Sequence, residues 1–96
     1  MISEVQKELV LKYLQPLKPF KVGIFGSYAR DENDRKSDLD VLVHLDYSQP
    51  VSLLKLVNAE LNLSEALGIP VDLVTELSLS THLRPYVEKD VIYILG

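Results

Sequence analysis

The sequence predicts an α/β (α+β) fold in which helices flank a small mixed β-sheet. Short apolar runs of strand length alternate with longer segments whose apolar residues recur at helical spacing. Of the 96 residues, 47% are hydrophobic and 25% are charged, which is ordinary for a globular protein. Strands that alternate with helices are typical of a helical layer packed on a sheet. We expect residues 1–96 to form a single small domain.

The first helix is predicted over residues 2–15. Apolar side chains recur every three or four positions at Ile2, Val5, Leu9 and Tyr13, and Val10 and Leu14 widen this stripe. Pro16 and Pro19 should end this helix, because proline lacks the N–H group and clashes with the preceding turn. The next apolar run predicts a first strand from Lys21 to Phe25 that stops at Gly26-Ser27.

A polar segment separates the first strand from the second. Ser27 is expected to cap a short helix that begins at Tyr28, and residues 31–37 read as a loop. The apolar run that follows predicts a second strand from Asp38 to Leu45.

The second half of the chain predicts two more helices and two more strands. After a turn over residues 47–50, a helix is expected from about Val51 to Leu67, and Gly68 provides its C-terminal stop. Residues 69–75 read as a third strand, residues 82–90 as a short helix with Pro85 in its first turn, and residues 91–95 as a final apolar strand or tail. The expected core stripe of the long helix is Leu53, Leu54, Val57 and Leu61.

Composition and charge exclude several classes of function. The formal net charge of -4 provides no basic footprint for duplex DNA or RNA, so we expect no direct nucleic-acid binding. The absence of cysteine rules out disulfides and thiolate metal sites. No apolar stretch approaches the roughly 18–20 residues needed to cross a bilayer, and the N-terminal residues lack a signal-peptide pattern. We therefore expect a cytoplasmic protein that does not contact membranes.

Asp38 and Asp40 form the first candidate site. Side chains alternate across a strand, so both carboxylates face the same way, with Cα atoms about 6.5–7 Å apart. Such a pair can hold two metal ions, and Mg²⁺ is the expected ion because it prefers hard oxygen ligands shared with substrate phosphates. The alternative for an isolated Asp-x-Asp is a solvated sheet face without a ligand. Like charges side by side cost stability unless something neutralises them, which favours the metal.

Gly26-Ser27 and Asp72 supply two further parts. A glycine at a strand-to-helix turn lets the backbone approach a phosphate, although the same pair is also typical of an ordinary helix cap. Asp72 lies inside the apolar run of residues 69–74, where an unpaired carboxylate would be costly to bury. If the third strand lies beside the second, Asp72 joins the two aspartates as a general base or a metal ligand. Otherwise it points to water at a sheet edge.

These motifs resemble a known family. Gly26-Ser27, ten residues, and then Asp38-Leu39-Asp40 match the Gly-Ser-x10-Asp-x-Asp signature of the DNA polymerase β-like nucleotidyltransferase superfamily. The local sequences of residues 25–30 and 37–43 are most similar to its minimal nucleotidyltransferase (MNT) branch, and Asp72 stands where a third family carboxylate is expected. One position departs from the pattern, since Asp31 replaces a frequent glycine and adds negative charge to the phosphate-side loop.

The resemblance implies roles for the site residues. Asp38, Asp40 and Asp72 would be the catalytic carboxylates and metal ligands, holding two Mg²⁺ ions. Gly26 and Ser27 would bind the triphosphate of ATP, the substrate, and Arg30 would neutralise phosphate charge. Such a site transfers a nucleotide monophosphate to a hydroxyl group and releases pyrophosphate.

The resemblance also implies a partner. MNT proteins commonly act as antitoxins of HEPN-domain ribonuclease toxins, and they are implicated in transferring AMP to a tyrosine of the toxin. A chain of this length leaves little room for an acceptor-binding domain, so the acceptor surface should come from a partner protein or from a second copy of the chain. Two alternatives remain at this stage: an inactive antitoxin that acts by binding alone, and a nucleotidyltransferase for small molecules.

Overall fold

The computed structural model, which describes residues 2–48 and 50–96, shows a four-stranded mixed sheet with three α-helices. The predicted fold class and the predicted order of helices and strands are confirmed. The turn expected over residues 47–50 includes Gln49, which lies outside the described residues. In chain order the elements are α1 (Glu4–Leu14), β1 (Lys21–Phe25), β2 (Leu39–His44), α2 (Leu53–Leu67), β3 (Val71–Thr75), α3 (Arg84–Asp90) and β4 (Ile92–Leu95).

The strands are arranged in the order β3-β2-β1-β4. β1 pairs antiparallel with both β2 and β4, whereas β2 and β3 are parallel and are connected through α2. One face of the sheet packs against α1 and α2 and forms the core. The residues of the central strands that point into this core are almost fully buried: Val22, Ile24, Leu39, Val41 and Val43. Because side chains alternate, the residues between them point to the opposite face.

α1 begins with a capping box. The Gln6 N–H donates to Ser3 Oγ at 3.1 Å, and the Ser3 N–H donates to Gln6 Oε1 at 2.8 Å. Val10 and Leu14 are fully buried, but Val5 is 65% exposed. The core-facing side of α1 is therefore rotated from the predicted stripe towards Val10 and Leu14.

The predicted core face of α2 is wrong. The four residues expected to be buried are 51–77% exposed, and a second set on the other side of the helix packs against the sheet instead. Both sets recur at helical spacing, so the periodicity alone did not distinguish the buried face from the exposed one. The exposed set is Leu53, Leu54, Val57 and Leu61, and the inward set is Leu56, Ala59, Leu63 and Leu67. The predicted stop at Gly68 is confirmed, with a left-handed φ of 70°.

β3 is an edge strand whose outer side is bonded to side chains. The N–H groups of alternate residues in β3 donate to Ser64 Oγ (3.0 Å), Glu60 Oε2 (2.9 Å) and Ser78 Oγ (3.2 Å). The donors are Val71, Leu73 and Thr75. This arrangement ties α2 to the strand and covers the edge that would otherwise be open to another strand.

In the part of the chain that the structure describes, no helix is long and apolar enough to cross a membrane.

Candidate active site

The site is built where β1 ends beside the start of β2. Phe25, the last residue of β1, pairs with Asp40, so the next residue, Gly26, turns directly against the Asp40 side chain. Gly26 has a φ of 73°, which favours glycine, and a Cβ at this position would collide with the Asp40 carboxylate. Gly26 therefore allows both the turn and the close approach of the backbone to the carboxylate.

The segment after Gly26 differs from the prediction. Gly26–Tyr28 form a single 3₁₀ turn whose N-cap position is Phe25, and no side chain caps it. The expected role of Ser27 as a helix cap is therefore wrong, because Ser27 lies inside the turn. Its backbone carbonyl accepts from the Glu32 N–H at 2.9 Å, and the buried Tyr28 fixes the turn on the core.

The three predicted carboxylates lie at the same end of the sheet. Asp40 in β2 is directly paired with Asp72 in the parallel strand β3, which places their Cα atoms about 4.8 Å apart on neighbouring strands. Asp38 immediately precedes β2, two residues from Asp40. Asp40 is half-buried, while Asp38 and Asp72 are exposed to solvent. The conditional expectation that the third strand lies beside the second is thus fulfilled.

The environment raises the pKa of Asp40 from 3.8 to about 6. The largest cause is burial, which disfavours the charged form, followed by repulsion from Asp72 and then from Asp38. The nearby Arg30 acts in the opposite direction and lowers the pKa of Asp40. The site therefore has an excess of negative charge that a cation would relieve.

Arg30 is held by two acidic partners. Its Nη1 lies 2.9 Å from Asp90 Oδ2, and its Nε lies 3.1 Å from Glu32 Oε2. Asp90 ends α3 and is 60 residues away in the sequence, so no local pattern could have revealed this pairing. Asp31, which replaces the frequent glycine, has a left-handed φ of 58°, a conformation that glycine adopts freely and aspartate tolerates.

The donor set fits Mg²⁺ by its chemistry. Carboxylate oxygens are the ligands that Mg²⁺ prefers, and burial together with repulsion from Asp72 and Asp38 raises the pKa of Asp40, which a bound cation would oppose. Within residues 2–48 and 50–96, however, no three acidic or histidine side chains are gathered closely enough to form a complete ligand set. Mg²⁺ usually takes only one or two carboxylates and completes its shell with water and substrate phosphates.

A glycine turn against paired carboxylates on a mixed sheet is the arrangement that the resemblance to nucleotidyltransferases predicts. The model of the nucleotidyltransferase domain family matches residues 3–94. The chain therefore belongs to the nucleotidyltransferase domain family, and its resemblance to the minimal branch is confirmed.

Two relatives illustrate the similarity in sequence. MJ1217 of Methanocaldococcus jannaschii, which carries the provisional name of a protein adenylyltransferase, is 46% identical over 98 residues, covering 97% of each chain. The protein adenylyltransferase MntA of Thermococcus cleftensis is 40% identical over 74 residues, covering 77% of this chain and 73% of its own.

Two solved structures illustrate the similarity in fold. A toxin-antitoxin structure with AMP-PNP has a TM-score of 0.81 at 27% identity, covering 94% of this chain and 73% of the other. A complex of a tri-AMPylated HEPN toxin with an MNT antitoxin from Shewanella oneidensis has a TM-score of 0.76 at 24% identity, covering 99% of this chain and 73% of the other. The second likeness shows the fold alone.

Proposed function

We propose that this chain is a protein adenylyltransferase that transfers AMP from ATP to a tyrosine hydroxyl of a HEPN-domain ribonuclease toxin, and thereby acts as its antitoxin. The observation that carries the proposal is the pairing of Asp40 with Asp72, with Asp38 two residues away, directly beside the glycine turn. The relatives named as protein adenylyltransferases and the AMP-PNP-bound structural neighbour support this reaction and ATP as the substrate.

Each site residue has a role in this proposal. Asp38 and Asp40, with Asp72, would hold two Mg²⁺ ions, which supply charge stabilisation for the attacking and leaving oxygens when bound. Gly26 and Ser27 contact the triphosphate, because the absence of a Cβ at Gly26 leaves the backbone accessible. Asp72, which is exposed, accepts the proton of the attacking hydroxyl.

Arg30 is proposed to bind phosphate by exchanging partners. Its guanidinium is paired with Asp90 and Glu32, but it lies near enough to Asp40 to lower the pKa of that carboxyl. A phosphate placed beside Asp40 would therefore offer Arg30 a more highly charged acceptor within reach.

A protein acceptor suits the shape of the site. Asp38 and Asp72 are exposed, so the carboxylates open to solvent at the end of the sheet. A tyrosine on the surface of a macromolecule can reach them there, whereas a small acceptor would need an enclosing pocket for orientation. Added phosphate charge near an RNA-cleaving site would repel RNA and obstruct the catalytic groups of the toxin.

Co-expression with a HEPN toxin tests the proposal. The toxin is isolated after expression alone, with the wild-type chain, with Asp38→Asn and with Asp34→Asn, and its intact mass and ribonuclease activity are measured. We expect the wild type to add one or more AMP units and to silence the toxin, and Asp38→Asn to do neither. Asp34→Asn is the matched control, because Asp34 lies in the same polar segment and its side chain bonds only locally to Lys36 and Ser37 in the hydrogen bonds described.

The alternative is a binding antitoxin without catalysis. In that case the toxin would be neutralised with its mass unchanged, and Asp38→Asn would neutralise it as well as the wild type. This outcome would contradict the adenylyltransferase proposal.

A further inference from the structure

A second polar cluster lies on the same sheet face as the carboxylates, at the opposite end of β2. The hydroxyl of Tyr93 lies 3.4 Å from His44 Nε2, and the Glu76 carboxylate contacts His44 Nδ1. The side chains of His44 and Glu76 are only 18% and 24% exposed, whereas Tyr93 is 36% exposed. Tyr93 is therefore more exposed than the pair behind it.

The contacts of His44 make it a base for Tyr93. Glu76 can only accept a hydrogen bond, so it favours the tautomer that carries a proton on Nδ1. Nε2 is then unprotonated and accepts the proton of the tyrosine hydroxyl. A nucleophile, a base and a group that orients the base are the three parts of an activated nucleophile, and their hydrogen bonds are often long before a reactant is bound.

Lys21 adds positive charge beside the same tyrosine. Its Nζ lies 4.2 Å from the centre of the Tyr93 ring. A cation at this position stabilises developing charge on the phenol oxygen and attracts an incoming phosphate group.

We propose that Tyr93 is itself an acceptor of AMP, delivered by the carboxylate site of a second copy of this chain. The proposal rests on the proposed function, which supplies the reaction. The Tyr93 oxygen forms a bond to the α-phosphorus of ATP. The bond between the α-phosphorus and the oxygen that bridges it to the β-phosphorus breaks, and pyrophosphate leaves. The phenol proton moves to His44 Nε2.

The transfer must occur between two copies. His44 follows Asp40 by four residues in β2, a distance of about 13 Å along the strand, and the Tyr93 hydroxyl points towards His44. The carboxylates of the same chain therefore do not reach the hydroxyl.

Complementation between two variants tests the proposal. Asp38→Asn keeps the acceptor but loses the carboxylate site, whereas Tyr93→Phe keeps the carboxylates but loses the acceptor hydroxyl. The two chains, distinguished by a tag, are mixed with ATP and Mg²⁺ without toxin and analysed by intact mass and peptide mapping. We expect AMP on Tyr93 of the Asp38→Asn chain, no AMP on the Tyr93→Phe chain, and no label when Asp38→Asn is incubated alone.

Three further variants separate the base from a general effect on folding. Tyr86→Phe is the matched control, because Tyr86 is 71% exposed, and it should be labelled at Tyr93 like the wild type. His44→Asn should slow labelling at least about 100-fold, the scale of general base catalysis. Glu76 is a positioning residue, so Glu76→Gln should slow labelling and also shift the ¹⁵N resonances of His44 away from the Nδ1-protonated tautomer.

Three results would overturn the inference. If Tyr93 stays unmodified while the same preparation transfers AMP to a HEPN toxin, the acceptor role is wrong and the proposed function stands. If neither the toxin nor Tyr93 receives AMP, the proposed function fails and the inference fails with it. Labelling at another tyrosine, unaffected by His44→Asn, would also refute it.

Discussion

Asp40→Asn should stabilise the apo protein at neutral pH. The folded state raises the pKa of Asp40 from 3.8 to about 6, a shift of about 2 units. Each unit corresponds to about 1.4 kcal/mol, and solvent screening of this partly exposed group reduces the total to about 1–2 kcal/mol. Because the folded-state pKa is raised, the ionised carboxyl destabilises the fold above pH 6, and this penalty disappears below pH 4.

The assay compares the unfolding of Asp40→Asn and the wild type, without divalent cations, at pH 4 and pH 7.5. At pH 7.5 the variant should unfold at a temperature roughly 5–10 °C higher, and at pH 4 most of this difference should be lost. Asp46→Asn provides a control in which the pKa shift has the opposite sign, because hydrogen bonds from Ser48 lower the pKa of Asp46. The unfolding temperature of this variant should therefore not rise at neutral pH. If Asp40→Asn raised the unfolding temperature equally at both pH values, the electrostatic explanation would be refuted.

Ligand binding, core packing and the covered strand edge each lead to one more prediction. Mg²⁺ and ATP together should stabilise the protein by about 2.7 kcal/mol at a hundredfold excess over Kd, and no shift in scanning fluorimetry at millimolar concentrations would contradict a nucleotide site. Leu63→Ala should lower the unfolding free energy by about 2–5 kcal/mol, because Leu63 is fully buried. Leu61→Ala should change it by less than about 0.5 kcal/mol, and equal losses of unfolding free energy for the two variants in urea titrations would place Leu61 in the core. Glu60→Ala should lower the unfolding free energy by about 1 kcal/mol and accelerate hydrogen exchange at the Leu73 amide. An unchanged exchange rate would show that the hydrogen bond to Glu60 does not protect this edge.

The order of elements and the shared face of Asp38 and Asp40 could be predicted because both depend on local patterns. The place of Asp72 was predicted only on the condition that the third strand lies beside the second, and the parallel pairing of β3 with β2 fulfils that condition. Gly68 also marks a helix end, since its left-handed φ is costly for other residues.

The orientation of α2 and the polar pairings could not be predicted in this way. Leucines occupy two sides of α2, and only contact with the sheet decides which side is buried. The Arg30–Asp90 ion pair and the Tyr93–His44 contact join residues 60 and 49 positions apart, so they depend on the folded arrangement of α3 and β4. Ser27 was misassigned because the positive φ of Gly26 starts the turn one residue earlier than a serine cap requires.

The side chains that cover β3 limit how this sheet can grow. With the amides of Val71, Leu73 and Thr75 already bonded to side chains, strand addition at that edge would first have to break three hydrogen bonds. Strand addition is thereby directed to β4, the opposite edge of the sheet. A sheet with one usable edge can accept one added strand only, and this prevents a fibre from growing by strand addition at both edges.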